Sequence, residues 1–471
     1  MTAAVSAFVL TAGLVAHATG GRLVAGAADR PFSGVSTDTR TLQAGALFLA
    51  LRGERFDGHA FISDARRLGA AGLLLDQAPK DLEPTADLAV IVVPDTLEAL
   101  QALGRDVRRR SHARVVAITG SAGKTTTKEV AATLLATTFK VFRNRGNLNN
   151  HIGLPLSLVE LCHGPDVAVV ELGMNHAGEI RTLVRIAEPD MRVWTNVGDA
   201  HIGHFGTRDA VADAKAEIFE SAGDRTVMIV NADDPLVMAR AARLERGRVV
   251  TFGESPAATV RAVEVVDRGL DGTDARVDTP AGSRPLHVPL PGRPHLSNVL
   301  AAMSVALEFG VPLDAIVPAV ASIQAVARRG AVTRRGDGTR IVDDSYNASP
   351  AAMRAMLAAL AATASAVQRV AMLGEMLELG DQSYALHEAT GRAAASAHVD
   401  TLVVVGGSAA DGLVDGAVAA GLRRDRIHRF AASDAAAAEA RTFVSPGDVV
   451  LVKGSRGTRM DLVVDRLLEE G

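Results

Sequence analysis

Val115-Val-Ala-Ile-Thr-Gly-Ser-Ala-Gly-Lys-Thr-Thr-Thr127 is the stretch on which the fold turns. A short apolar run predicts a buried strand, Gly120-Ser121-Ala122-Gly123 predicts a turn, and Lys124-Thr125-Thr126 opens a helix. Two glycines let backbone N–H groups close around phosphate at the positive end of that helix. Lys124 offsets phosphate charge and the Thr125 hydroxyl suits Mg²⁺. The spacing is Gly-x-x-Gly-Lys-Thr, because Ile118 stands where the longer common loop has its first glycine. A strand-to-helix turn that merely uses glycine does not explain glycine, lysine and a threonine triplet together. The segment reads as a nucleotide site.

Outward from it, strands alternate with helical patterns: Val167–Val170, Val193–Thr195 and Val227–Val230 read as buried parallel strands. Residues 249–290 turn short, alternating and turn-rich, which predicts a small antiparallel addition. A second αβ series starts at Thr339, with Ile341-Val342, Val370–Leu373, Leu402–Val405, Ile427–Phe430 and Val449–Val452 as its strands. Before the loop, Leu47–Leu51, Leu73–Leu75 and Val90–Val93 read as strands. A helix starts near Pro94-Asp95, and the basic run Arg105–Arg114 reads as a solvated helix end and linker. Val5, Phe8, Val9 and Ala12 recur at helical spacing ahead of Gly20-Gly21, predicting an amphipathic first helix. The predicted architecture is α/β in three domains: residues 1–105, then 106–326 with a central P-loop parallel sheet, then 327–471, Rossmann-like.

Composition narrows the classes. Within 471 residues there are 50 Lys+Arg against 54 Asp+Glu, and 13 Phe, 2 Tyr and 1 Trp. A net charge of −4 offers no footprint for a polyanion, and so few aromatics offer few platforms for bases, which argues against nucleic acid. Cys162 stands alone, so no internal disulfide or cysteine zinc cluster forms, as suits a reducing compartment. The N-terminus lacks the basic residues of a signal peptide, and no apolar run approaches the ~20 residues of a spanning helix. A cytoplasmic protein without membrane insertion is expected.

Two further positions carry chemistry. Glu171 ends a predicted parallel strand, where open αβ sheets bind ligands; it reads as a surface acid or, beside a P-loop, as a Mg²⁺ ligand. His201 follows the Trp194 strand within reach of a metal, and Lys215 lies on an amphipathic helix whose spacing leaves its role open.

Thr119-Gly-Ser-Ala-Gly-Lys-Thr-Thr126, Asn147-Leu-Asn-Asn-His-Ile-Gly-Leu-Pro155, Glu171-Leu-Gly-Met-Asn175, Asn231-Ala-Asp-Asp-Pro235, Asp343-Asp-Ser-Tyr-Asn-Ala-Ser-Pro350 and Leu373-Gly-Glu-Met-Leu-Glu-Leu-Gly380 occur in that order. This series resembles the Mur ligase family of peptidoglycan synthesis over essentially the whole chain, and the last two motifs resemble the branch that adds D-alanyl-D-alanine. A sister ligase adding another amino acid is the alternative. The resemblance implies an ATP-dependent amide ligase acting on UDP-N-acetylmuramoyl-tripeptide and D-alanyl-D-alanine through an acyl phosphate, as a cytoplasmic monomer.

It also implies residue roles. Thr125 and Glu171 would hold one Mg²⁺, with Lys124 on the β- and γ-phosphates; His201 and a carbamoylated Lys215 would serve a second. Asn298 would contact the nucleotide, although Pro294 and His295 depart from the family's Gly-x-His-Asn-x-x-Asn pattern. Arg329, or its neighbour Arg328, would approach the γ-phosphate. Asp344 would meet the ribose and Tyr346 the base. Ser36, Thr37 and Arg40 would contact the uridine diphosphate, with Asp57 and His59 nearby, the latter pair being equally readable as a tight turn. Asn147, Asn149 and Asn150 would bind peptide or cap their loop, and Lys453 and Arg456 would meet a carboxylate or cap a strand end.

Overall fold

A computed structural model describes residues 7–53, 56–77, 87–199, 202–364 and 366–469. By density of contacts the chain forms two compact units that interleave along the sequence: residues 1–119, 138–192 and 217–226, and then 120–137, 193–216 and 227–471.

The first unit holds a five-stranded sheet in the order Arg22–Ala25, Ala89–Val92, Gly72–Leu75, Leu47–Leu49, Val35–Ser36. All its pairs are parallel except the first. It also holds Val141–Arg143, Val167–Glu171 and Arg114–Thr119, parallel, with Val167–Glu171 in the middle. Side chains of the last two strands are almost wholly buried, which is why they read as unbroken apolar runs.

Two expectations change here. Leu10–Thr11 is a strand paired with Pro31–Phe32, and the first helix is Ala12–Thr19. Phe8 donates its N–H to the Cys162 carbonyl at 2.9 Å and Val9 is exposed, so these two precede the helix instead of building its apolar face; Val5 lies outside the described residues. Gly20, with φ +63°, ends that helix as expected. The basic run is an exposed helix end, as expected, but only residues 111–113 separate it from the next strand, and its arginines are engaged. Thr96–Arg110 is one helix, capped by Asp95 at 2.7 and 2.9 Å, and its last turns grip the end of helix Glu179–Ala187. Arg108 donates to the Ala187 and Glu188 carbonyls at 2.9 and 3.0 Å and to Asp190 at 2.8 Å. Arg105 and Arg109 hold Glu188. Guanidinium groups satisfy carbonyls that a helix end leaves open, a contact between distant segments that charge patterning does not reveal.

The second unit contains the P-loop helix Lys124–Leu135, packed beside Pro294–Glu308. Arg248–Gly253 lies parallel to Val227–Asn231 and to Val260–Asp267, so the antiparallel addition expected over 249–290 is confined to Val260–Asp267, Thr273–Thr279 and Gly282–Val288. The last sheet has six strands in the order Ala331–Arg334, Arg340–Asp344, Val449–Lys453, Arg369–Gly374, Thr401–Val405, Ile427–Phe430, parallel but for the first pair. No helix among the described residues is long and apolar enough to cross a membrane.

Candidate functional site

The glycine loop is built against the turn that leaves strand Met191–Trp194. Gly120 and Gly123 have φ of +147° and +83°; a Cβ on Gly120 would overlap Thr195 Oγ1, and one on Gly123 would overlap Asn298 Oδ1. Only glycine meets both demands. Ser121 donates its N–H to the Asn196 carbonyl at 3.0 Å, and Ala122 donates its N–H to Asn196 Oδ1 at 2.9 Å. Asn196 Nδ2 and Thr195 Oγ1 return bonds to the Ala122 carbonyl at 3.1 and 2.7 Å, and Gly198 N–H reaches Ser121 Oγ at 2.8 Å. Asn196 is thus a brace that the motif itself does not announce; its one sequence signal is an amide at a strand end.

Lys124 Nζ donates to the Gly120 carbonyl at 2.7 Å, so its charge sits over the loop. Thr125 and Thr126 are buried in the first helical turn. Thr127 Oγ1 donates to Asn298 Oδ1 at 3.4 Å, which ties Asn298 to this helix. Lys215, on helix Arg208–Ala216, is 1% exposed. Burial, and secondarily the Lys124 charge, hold its pKa well below that of an ordinary amine. His201 lies outside the described residues. Just before it, Asp199 is buried and accepts from Arg208 Nε and Nη2 at 2.5 and 2.8 Å.

Along the P-loop helix, Thr126, Glu129, Val130 and Thr133 wall a cavity of about 290 Å³. Leu290, His295, residues 322–326 and Arg329 close its other sides. Arg329 and Arg328 diverge. The Arg329 guanidinium lies 4.1 Å from the Tyr346 ring centroid and lines the cavity; Arg328, at φ +62°, pairs with Asp461 at 3.1 Å. Tyr346 also lies under Arg456, 5.7 Å away, and does not line the cavity. Lys453 Nζ donates to Asp344 Oδ2 at 2.6 Å and to the Asn347 carbonyl at 2.9 Å, so these two candidate residues meet as a pair at neighbouring strand ends.

In the first unit, Glu171 is 4% exposed at the carboxyl end of its strand. Asn149 Nδ2 donates to its Oε1 at 2.8 Å, and Glu171 N–H reaches Asn144 Oδ1 at 3.0 Å. Asn150 Oδ1 accepts from Ile152 and Gly153 N–H at 3.1 and 2.8 Å, closing the loop, which Asn147 enters through its carbonyl. Elsewhere in this unit Ser36 Oγ donates to the Asp38 carbonyl at 2.9 Å, beside Thr37, and Arg40 forks onto Asp38 at 2.9 and 2.6 Å. His59 bridges Asp57 at 2.6 Å and Asp76 at 3.0 Å, and Arg52 joins the same two acids. That network combines the tight turn with a cluster of polar groups.

Residues 31–108 match the Mur ligase family catalytic domain, 118–306 the Mur ligase middle domain, and 328–456 the Mur ligase glutamate ligase domain. The chain is 36% identical to UDP-N-acetylmuramoyl-tripeptide–D-alanyl-D-alanine ligase of Escherichia coli (strain K12), over 94% of this chain and 95% of that one. It is 32% identical to the ligase of the same name from Bacillus subtilis (strain 168), over 93% of each chain. Among solved structures, MurF from Acinetobacter baumannii superposes with a TM-score of 0.86 at 31% identity, covering 99% of this chain and 100% of that chain. MurF ligase from Thermotoga maritima in complex with ADP gives 0.79 at 29% identity, over 92% and 96%.

Proposed function

The chain belongs to the Mur ligase family, and from that premise we propose that its braced glycine loop serves the ATP-driven joining of UDP-N-acetylmuramoyl-tripeptide to D-alanyl-D-alanine. It is an ATP- and Mg²⁺-dependent ligase of peptidoglycan synthesis. The observation that carries this reading is full-length similarity to D-alanyl-D-alanine ligases combined with an intact Gly120–Thr125 loop.

The terminal carboxylate of the tripeptide attacks the ATP γ-phosphorus, ADP leaves, and an acyl phosphate forms. The free amine of the dipeptide then attacks the acyl carbon, and the tetrahedral intermediate expels phosphate to leave an amide. The first step brings two anions together and the second, in which the amine gives up a proton, builds negative charge on the tetrahedral oxygen, so the protein's task is to neutralise that charge and align the reactants. Lys124 and the N-terminus of the helix it opens face the phosphates, while the Ser121 and Ala122 N–H groups brace the loop on Asn196, and Arg329, aligned by the Tyr346 ring, supplies a further cation. Asp344, held by Lys453, takes the ribose hydroxyls; Asn298, tied to the P-loop helix through Thr127, contacts the nucleotide.

Thr125, Glu171, His201 and Lys215 are the residues that would hold Mg²⁺, which supplies positive charge to the phosphate oxygens. A buried carboxylate at a parallel strand end and a buried threonine hydroxyl fit that ion; a buried ammonium does not. Reaction of the Lys215 amine with CO₂ gives a carbamate and resolves the mismatch, because the product is an anionic oxygen ligand. Burial lowers the pKa of the amine, which favours the neutral form that reacts with CO₂. Ser36, Thr37, Arg40, Asp57 and His59 then serve the UDP-sugar, Asn147, Asn149 and Asn150 shape the wall near Glu171, and Arg456 with Lys453 orients the incoming carboxylate. The same reading puts a monomeric enzyme in the cytoplasm, where the buried Cys162 stays a thiol.

Phosphate release with UDP-N-acetylmuramoyl-tripeptide tests the assignment across acceptors. Turnover with D-alanyl-D-alanine well above that with single amino acids is expected; equal or greater turnover with a single amino acid assigns a sister ligase.

A further inference from the structure

Arg328 holds a backbone conformation that its own side chain makes costly. Its φ is +62°, in the left-handed region where a Cβ crowds the following carbonyl. Two residues on, at φ +78°, the chain places Gly330, which takes such a turn without strain. An arginine where glycine would serve points to a use for its side chain. Nη1 donates to Asp461 Oδ2 at 3.1 Å. Arg328 is half open to water, and an ion pair in that setting stabilises by less than a left-handed residue costs. Stability does not account for the arginine.

The surrounding geometry does. Backbone bonds clamp the turn on both sides of Arg329: Tyr346 donates its N–H to the Arg328 carbonyl at 3.0 Å, and Gly330 donates its N–H to the Asp343 carbonyl at 2.9 Å. Between these bonds the Arg329 guanidinium rests on the Tyr346 ring, 4.1 Å from its centroid. Asp461 opens helix Asp461–Leu468, where the helix dipole favours a carboxylate. The turn Arg456–Thr458 just before that helix carries Arg456, 5.7 Å from the same ring. Across 133 residues of sequence, the Arg328–Asp461 bond ties the loop that presents Arg329 to the segment that presents Arg456.

We propose that Arg328 is a positioning residue: its bond to Asp461 fixes the left-handed turn that lays the Arg329 guanidinium on Tyr346 and aims it at the triphosphate. This rests on the reading of Arg329 as a cation for the γ-phosphate. In this role Arg328 touches neither nucleotide nor peptide. Without the bond the turn is held less firmly at that φ, Arg329 spends less time on the ring, and turnover falls.

The test is a double-mutant cycle on the full chain, reading kcat by phosphate release with ATP, UDP-N-acetylmuramoyl-tripeptide and D-alanyl-D-alanine. Arg328→Gly, which adopts this φ freely, should lower kcat about tenfold, the scale of a displaced catalytic group, with KM for the tripeptide substrate unchanged. Arg329→Leu should lower kcat by about 10²-fold or more. Because Arg328 acts through Arg329, adding Arg328→Gly to Arg329→Leu should lower kcat no further, whereas a merely structural residue would lower it again. Arg328→Lys, which returns one ammonium to Asp461, should recover most of the loss, and Asp461→Asn should reproduce it. Arg328→Gly with the parent's kcat, or effects that multiply in the double variant, overturns the proposal while Arg329 keeps its role. Arg329→Leu with the parent's kcat overturns the phosphate role of Arg329, and the proposal with it.

Discussion

Lys215 is an amine where a triphosphate site calls for an anion, and its burial decides between two outcomes. As an ammonium beside Lys124 it would oppose the site's own cation; as a carbamate it joins the metal ligands. We expect Lys215→Ala to lose about 10²–10³-fold in turnover, the scale of losing one preorganised charge, with partial recovery on adding short carboxylic acids. Parent enzyme prepared without CO₂ should regain activity on adding bicarbonate, and Lys215→Ala should not. Unchanged turnover in Lys215→Ala would remove the residue from the mechanism. The amphipathic spacing of Ala-Asp-Ala-Lys-Ala-Glu left Lys215 open to either reading; its nearly complete burial is a tertiary fact.

At the scale of elements, loops carrying the site are held by side chains from other segments. Asn196 braces the glycine loop, Arg108 closes the end of helix Glu179–Ala187, and His387 fixes the turn after strand Arg369–Gly374. His387 is fully buried; its Nε2 accepts from Met376 N–H at 2.9 Å while Nδ1 donates to the Ser383 carbonyl at 2.7 Å. Burial pushes its pKa below the ordinary histidine value, outweighing the Ser383 bond and Glu375. The unfolded chain therefore binds the proton first as pH falls, so the contribution of His387 is complete above about pH 6.5 and is lost as pH drops through the folded value. His387→Gln should flatten the acid limb of a Tm-against-pH curve relative to the parent. A parallel pair of curves would mean that His387 is not part of the acid response.

In the second unit, the motif Leu373–Gly380 meets the short helix that follows His201. Gly203 N–H points to the Glu378 carbonyl at 3.4 Å, and a Cβ on Gly203 would stand 2.9 Å from both that oxygen and Gly380 N. No side chain fits without displacing backbone. Gly203→Val should reduce kcat at least about tenfold, on the scale of a site component shifted by an ångström, while ATP still raises the Tm. Equal kcat would show that this contact is incidental to turnover; phosphate release and thermal melts with and without ATP supply the readout.

The αβ alternation, the glycine loop and the ordered motifs were legible because each depends on local chemistry: strand burial needs β-branched runs, and a phosphate turn needs glycine before a helix. From these alone follow the fold class, the nucleotide site and the family. The tertiary structure decided what depends on distant segments. It paired Arg105, Arg108 and Arg109 with the end of a neighbouring helix, and separated Arg329 at the cavity from Arg328 at Asp461. It also joined Lys453 to Asp344 and left His295 Nδ1 without a partner. Charge and hydrogen-bond partners across tens or hundreds of residues are set by packing, which no local spacing encodes.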